Sequence, residues 1–150
     1  AAAASATCEA LTMANPTHTV QREYLGRGWR FPLQVNARGG LALGRHEQRV
    51  EESIVLILST ARGERVMQPG WGCGIHDLVF APNDARTVGG VAHEVRRALV
   101  DREARIDVID VQVDNPAESP NLLLIRVNYR IRATNAIGNL VYPYFIREGR

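Results

Sequence analysis

The sequence predicts an α+β domain, with two helices packed on a small, mostly antiparallel sheet. Three observations carry that expectation. Two segments, Glu47–Ala61 and Asp84–Arg102, repeat apolar residues at helical spacing. One segment, Leu123–Ala133, has the period of a strand, with apolar and polar residues alternating from Ile125 to Ala133. Shorter alternating stretches stand before the first helix and near the end of the chain. The order reads β(β)–α–loop–α–β–β–β, and no internal repeat is visible.

At 150 residues the chain is the usual size of one domain, placed at residues 24–150 behind a flexible lead-in over 1–23. Asn15-Pro16 favours a turn, nothing periodic precedes it, and Met13 offers an alternative first residue. The composition, 45% hydrophobic and 23% charged, is that of an ordinary globular protein. The longest apolar run, Ile54–Leu58, is five residues. A membrane span needs about 20. Net charge is +2, which excludes a polycation, and all 18 basic residues are arginine. Genomic base composition explains that bias, and so does a demand for interfaces, where arginine's planar fork is favoured. Cys8 and Cys73 supply no disulfide framework or zinc spacing, which fits a reducing cytoplasm.

Taken in order, Trp29, Phe31, Leu33 and Val35 alternate with Arg30, Pro32, Gln34 and Asn36, the pattern of a half-buried strand. Pro32 has no N–H to donate and argues for an edge. Arg38-Gly39-Gly40 is a turn, and Leu41 and Leu43 begin a return strand. In the first helix Val50, Ile54, Ile57, Leu58 and Ala61 share one face. Glu47, Glu51 and Glu52 sit near its positive end. Arg62 and Gly63 read as a basic last turn and a glycine cap.

Thirteen residues from Gly63 to Ile75 then hold four glycines, Pro69, Trp71 and the Glu64-Arg65 pair. We expect this stretch to be a fixed structural corner built on Gly63, Glu64, Arg65, Pro69, Trp71, Gly72 and Gly74, with Trp71 anchored on the core. In the second helix Val88, Val91, Ala92, Val95 and Leu99 share a face. Gly89-Gly90 weakens its start and would let another backbone approach. Arg105–Asp114 changes phase near Val108-Ile109, which predicts a bulge there. Residues 115–121 form a hairpin loop. In the next strand Leu123, Ile125, Val127, Tyr129 and Ile131 oppose Arg126, Asn128, Arg130 and Arg132. Leu140–Ile146 alternates again after a turn at 135–139.

No catalytic constellation stands out. Glu64, Asp77 and Glu103 are the carboxylates to weigh for glycoside hydrolysis, which needs two across a cleft. Arginine neighbours of Glu64 and Glu103 favour their ionised form, which suits salt bridges better than a general acid. Cys73 lacks an orienting triad and reads as a small packed hydrophobe. The four histidines show no ligand spacing, so neither metal nor cofactor is expected. Gly70–Gly74 lacks the Lys-Ser/Thr of a phosphate loop. Arg126, Arg130 and Arg132 make either a solvated sheet face or a protein interface. Nucleic-acid binding is disfavoured, because that face has no aromatic platforms.

Gly28-Trp29-Arg30-Phe31-Pro32-Leu33, the run Gly63–Ile75, Leu78-Val79-Phe80 and the closing stretch Asn139–Ile146 together resemble the baseplate wedge family of contractile tails. That family spans phage tails, type VI secretion systems and extracellular contractile injection particles. The resemblance covers about Gly26 to Ile146. Glu103-Ala104-Arg105 stands where the family has Glu-Pro-Arg. The resemblance implies a structural, non-enzymatic subunit whose fold is similar to the sheath's strand-exchange domain. It implies partners among sheath subunits, wedge proteins and the hub or tube, about six copies per particle, and assembly in the cytoplasm of a bacterial producer. Leu33, Val35, Leu140, Tyr142, Tyr144 and Ile146 would lie on the sheath-facing strands. Glu103 and Arg105 would contact the wedge, and alanine at both would abolish recruitment with the fold intact. A peptidoglycan hydrolase, as the lysozyme-like label of some members implies, is the alternative.

Overall fold

The computed structural model describes residues 25–116, 119 and 121–146. The expected lead-in over 1–23, with Cys8 and Met13, lies outside the described residues. The elements are β1 (Arg27–Trp29), β2 (Leu43–Arg45), α1 (Glu47–Ser59), a 3₁₀ turn (Gly74–Leu78), α2 (Ala85–Arg102), β3 (Ile106–Asp114), β4 (Leu122–Ile131) and β5 (Ile137–Phe145). β1 and β2 make a two-stranded antiparallel sheet, and β3, β4 and β5 make a three-stranded one in that order. The α+β class is as predicted, but the strands divide into two sheets.

β4 is the spine of the larger sheet. Leu123, Ile125, Val127, Tyr129 and Ile131 are buried, while Arg126 and Arg130 on the opposite face are exposed. The bulge in β3 falls between Val108 and Asp110, where the sequence changes phase. Against this face pack Val50, Ile54, Ile57 and Leu58 of α1 and Val91, Val95, Ala98 and Leu99 of α2, in one core. Each fully buried aliphatic side chain of this kind contributes about 1.5–3 kcal/mol of transfer free energy. α2 begins at Asp84, whose carboxylate accepts from the Thr87 N–H at 2.7 Å. Gly90 meets only Leu78 at ordinary contact distance, and Gly89 faces open space, so no backbone packs closely on this pair.

Two expectations need correction. The half-buried strand from Trp29 to Val35 is not formed: β1 stops at Trp29, the chain bends at residues 31 and 32, and Trp29, Phe31, Leu33 and Val35 are all exposed. The segment instead folds back on itself as a hairpin. Ala42 N–H donates to the Gln34 carbonyl at 2.8 Å, and a bridge joins Val35 to Leu41. Its alternation had no core to select a buried face. The second correction is the end of α1, which stops at Ser59 with Thr60 extended, ahead of Arg62. The Thr60 hydroxyl donates to the Leu56 carbonyl, and the Thr60 carbonyl accepts from Cys73 N–H at 2.9 Å. That parallel bridge, Ala61 to Cys73, draws the chain out of the helix.

Candidate protein interface

The corner is a loop closed at its base. Besides the Ala61–Cys73 bridge, Gly63 N–H donates to the Pro69 carbonyl at 2.8 Å. Glu64 turns its carboxylate back onto the Ala61 N–H at 2.9 Å. Arg65 stacks over the Trp71 ring at 4.8 Å, and Trp71 packs against the core. Gly72 has φ +111°, and a Cβ there would lie 2.5 Å from the Thr60 carbonyl oxygen, so only glycine fits. Behind Gly74, Arg62 pairs with Glu94 of α2 at 2.5 Å. Arg102 donates to the Gly70 carbonyl. The loop tip, Val66 and Met67, is left 85% and 92% exposed.

Glu103 and Arg105 lie at the turn from α2 into β3. Glu103 is only 4% exposed. Arg105 grips its carboxylate with two bonds of 2.6 Å and donates to the Leu25 carbonyl at 2.8 Å. Burial pushes the Glu103 carboxyl up, but hydrogen bonds from Arg105 and Ser53 and the arginine charge outweigh it and hold the group below its usual range. The pair therefore ties the α2–β3 junction to the segment before β1. Alanine at both positions would remove a buried, bonded pair, so an intact fold in that variant is no longer the expectation.

Arg126 and Arg130 of β4, and Arg132 just beyond it, are engaged across the sheet. Arg126 pairs with Asp114 at 2.9 Å, and Arg130 and Arg132 converge on Asp107 at 3.2 and 2.8 Å. The Arg132 hydrogen bond, aided by Arg130, lowers the Asp107 carboxyl below its usual range. Along β5 Tyr144 is buried, as is Ile146 just after it, and Leu140 and Tyr142 pack against the core, while Ile137, Val141 and Phe145 are exposed. The Tyr144 hydroxyl donates to the Ile75 carbonyl at 2.6 Å and fixes β5 over the 3₁₀ turn. β5 ends the three-stranded sheet, so one of its backbone edges has no strand beside it among the described residues. Pro143 within it is tolerated at such an edge.

The carboxylates weighed for hydrolysis do not share a constellation. Glu64 is occupied with its own loop, Glu103 is buried against Arg105, and Asp77 is exposed on the 3₁₀ turn, beside a groove of about 310 Å³ with His93 and Glu94. Cys73 is buried, and burial pushes its thiol up, away from the reactive thiolate. His76 Nε2 lies 3.0 Å from the Leu58 carbonyl. Among the described residues, no three His, Cys, Asp or Glu side chains are grouped to hold a metal ion. No helix among them is long and apolar enough to cross a membrane.

Sequence reasoning missed Arg49, which joins the hairpin to α1. It donates to the Trp29 carbonyl at 2.8 Å and to Glu52 at 2.8 Å. The signal available was an arginine three residues before a glutamate in the polar first half of α1.

The family model for baseplate wedge protein gp25 matches residues 45–136, more than half of the chain. Among solved structures, the chain is 44% identical to a Geobacter sulfurreducens protein provisionally described as a tail lysozyme, over 73% of this chain and 98% of that one, with a TM-score of 0.67. It shares its fold with a chain of the anti-feeding prophage baseplate, at 20% identity over 85% and 91% of the two chains and a TM-score of 0.61. It also shares its fold with a chain of the type VI secretion baseplate complex, at 14% identity over 65% and 91% and a TM-score of 0.54. No curated protein matches it.

Proposed function

The chain belongs to the baseplate wedge protein gp25 family, a family of structural baseplate components, and from that premise we propose that it joins the wedge to the first sheath ring and templates sheath assembly by strand pairing. The observation that carries this reading is the open edge of β5. Its inner side chains Tyr144 and Ile146 are locked into the core, and its outer backbone edge ends the sheet. A rigid, unpaired edge is a template for a strand from another chain. Each added residue pair gains ladder hydrogen bonds without a change in the core, so one edge sets the register of what it receives.

In this reading the strand comes from a sheath subunit, about six copies surround the tube, and assembly takes place in the producer's cytoplasm. Leu140, Tyr142, Tyr144 and Ile146 hold β5 in place rather than meeting the sheath through their side chains. The hairpin that carries Leu33 and Val35 gives a second contact. Arg105, the more exposed member of its pair, is the wedge-facing residue, and hub or tube proteins complete the surroundings. The test is electron microscopy of particles assembled from this chain with its neighbouring sheath and wedge proteins.

A second reading, a peptidoglycan hydrolase, is favoured by the description of the Geobacter relative. It would use Glu64 or Glu103. Both carboxylates are already committed to internal bonds, and we place the protein outside enzymes on that ground. Clearing of a cell-wall suspension, lost with Glu64→Gln or Glu103→Gln, would reverse that assignment.

A further inference from the structure

The β1–β2 hairpin is built to be covered. The segment 25–45 carries four arginines, Arg27, Arg30, Arg38 and Arg45, and no acidic residue, against a net charge of +2 for the whole chain. Among the described residues none of the four forms an ion pair with a carboxylate. Arg27 and Arg45 stand directly opposite each other across the two strands, where like charges are unfavourable. Trp29 and Leu43 are the adjacent cross-strand pair, 63% and 47% exposed.

Strand alternation puts these four residues on one face, because Gly28 and Gly44 occupy the other. Those glycines lie flush on α1. A Cβ at Gly28 would meet the Arg49 guanidinium at 3.0 Å, and one at Gly44 would meet Arg49 and Glu52 at 3.0 Å. The back of the hairpin is thus sealed, and its front presents two guanidinium groups that have no carboxylate partner among the described residues, beside an aromatic–aliphatic pair.

We infer that this front face docks a protein segment bearing carboxylates next to apolar side chains, supplied by a neighbouring subunit. The inference rests on the baseplate reading and adds the chemistry of one partner. Two arginines without counter-charges among the described residues call for carboxylates, and arginine's fork binds them bidentately. Trp29 and Leu43 call for apolar cover, the aromatic and arginine mixture that anchors protein interfaces. A nucleic-acid strand answers the charge but leaves Leu43 and the exposed Leu33, Val35 and Leu41 in water. The hairpin up to Gly44 precedes the residues matched by the family model.

The test places a photo-crosslinking amino acid at Leu43 in particles assembled with the neighbouring baseplate proteins, with an immunoblot for this chain in the purified particles. The expected result is an adduct with a neighbouring protein at a segment rich in Asp or Glu and apolar residues. Its yield per copy of this chain should fall at least tenfold in the Arg27→Glu/Arg45→Glu variant and stay unchanged in Arg126→Ala. An adduct with nucleic acid, lipid or a second copy of this chain would overturn the inference, as would no adduct or one indifferent to charge reversal. If the chain is present in particles and the adduct fails, this inference alone falls. If the chain is absent from complete particles, the baseplate reading falls with it.

Discussion

Tyr129 lies directly across the backbone of Gly138, its cross-strand partner in the β4–β5 ladder. A Cβ at position 138 would stand 2.5 Å from the Tyr129 ring. The ring thus covers the bare glycine at the turn end of β5 and, itself buried, fixes where the strand starts. Gly138→Ala should destabilise the fold by about 1–3 kcal/mol, the usual range for overpacking. Tyr129→Leu opens the space, so the double variant should lose less than the two single losses added. Denaturant unfolding of the four proteins measures that coupling.

Gly72→Ala should be costly for another reason. The added methyl meets the Thr60 carbonyl, and φ of +111° is foreign to alanine. We expect a loss of about 2–3 kcal/mol. Amide exchange of Cys73, which donates to that carbonyl, should speed up.

Acid should act through Glu103. Its carboxyl is lower in the folded chain than its reference value of 4.5. The contribution is present above that value and is lost as pH falls through the depressed folded value. Glu103→Gln should flatten this acid limb of the stability curve. Glu103→Ala, which strands Arg105, should cost about 2–3 kcal/mol, below the full penalty for a broken buried pair because Arg105 keeps some contact with water.

Base should act through two tyrosines. Burial, as the leading cause, pushes both Tyr129 and Tyr144 up to about 12. Their contribution is complete below the ordinary value of 10 and is lost as pH rises through 12. In a near-ultraviolet absorbance titration these two should ionise last, together with unfolding.

The strand-pairing proposal has its own surface test. Val141 and Phe145 project from β5 into solvent. Val141→Glu/Phe145→Glu should leave thermal stability nearly unchanged, as surface substitutions away from special contacts do. It should nevertheless block incorporation into sheathed particles.

What the sequence made legible follows range of interaction. β4 could be read because its partners β3 and β5 and the core beneath give every second residue one fate. The start of α2 at Asp84 and the bulge near Val108 are local and could also be read. Trp29–Val35 misled because alternation signals a buried face only where a core exists to select it. The bonds that Arg49 makes 20 residues back to Trp29 and Arg105 makes 80 residues back to Leu25 form only on folding, and the sequence around each arginine does not name its acceptor. The same distance effect hid the burial of Glu103, which stands in the mostly charged run Asp101–Arg105 and whose surroundings are assembled by folding.

The most direct measurement is electron microscopy of particles assembled by co-expressing this chain with its neighbouring sheath and wedge proteins. We expect density for this chain between the baseplate and the first sheath ring, with a foreign strand along the edge of β5. Complete sheathed particles formed without the chain would contradict it.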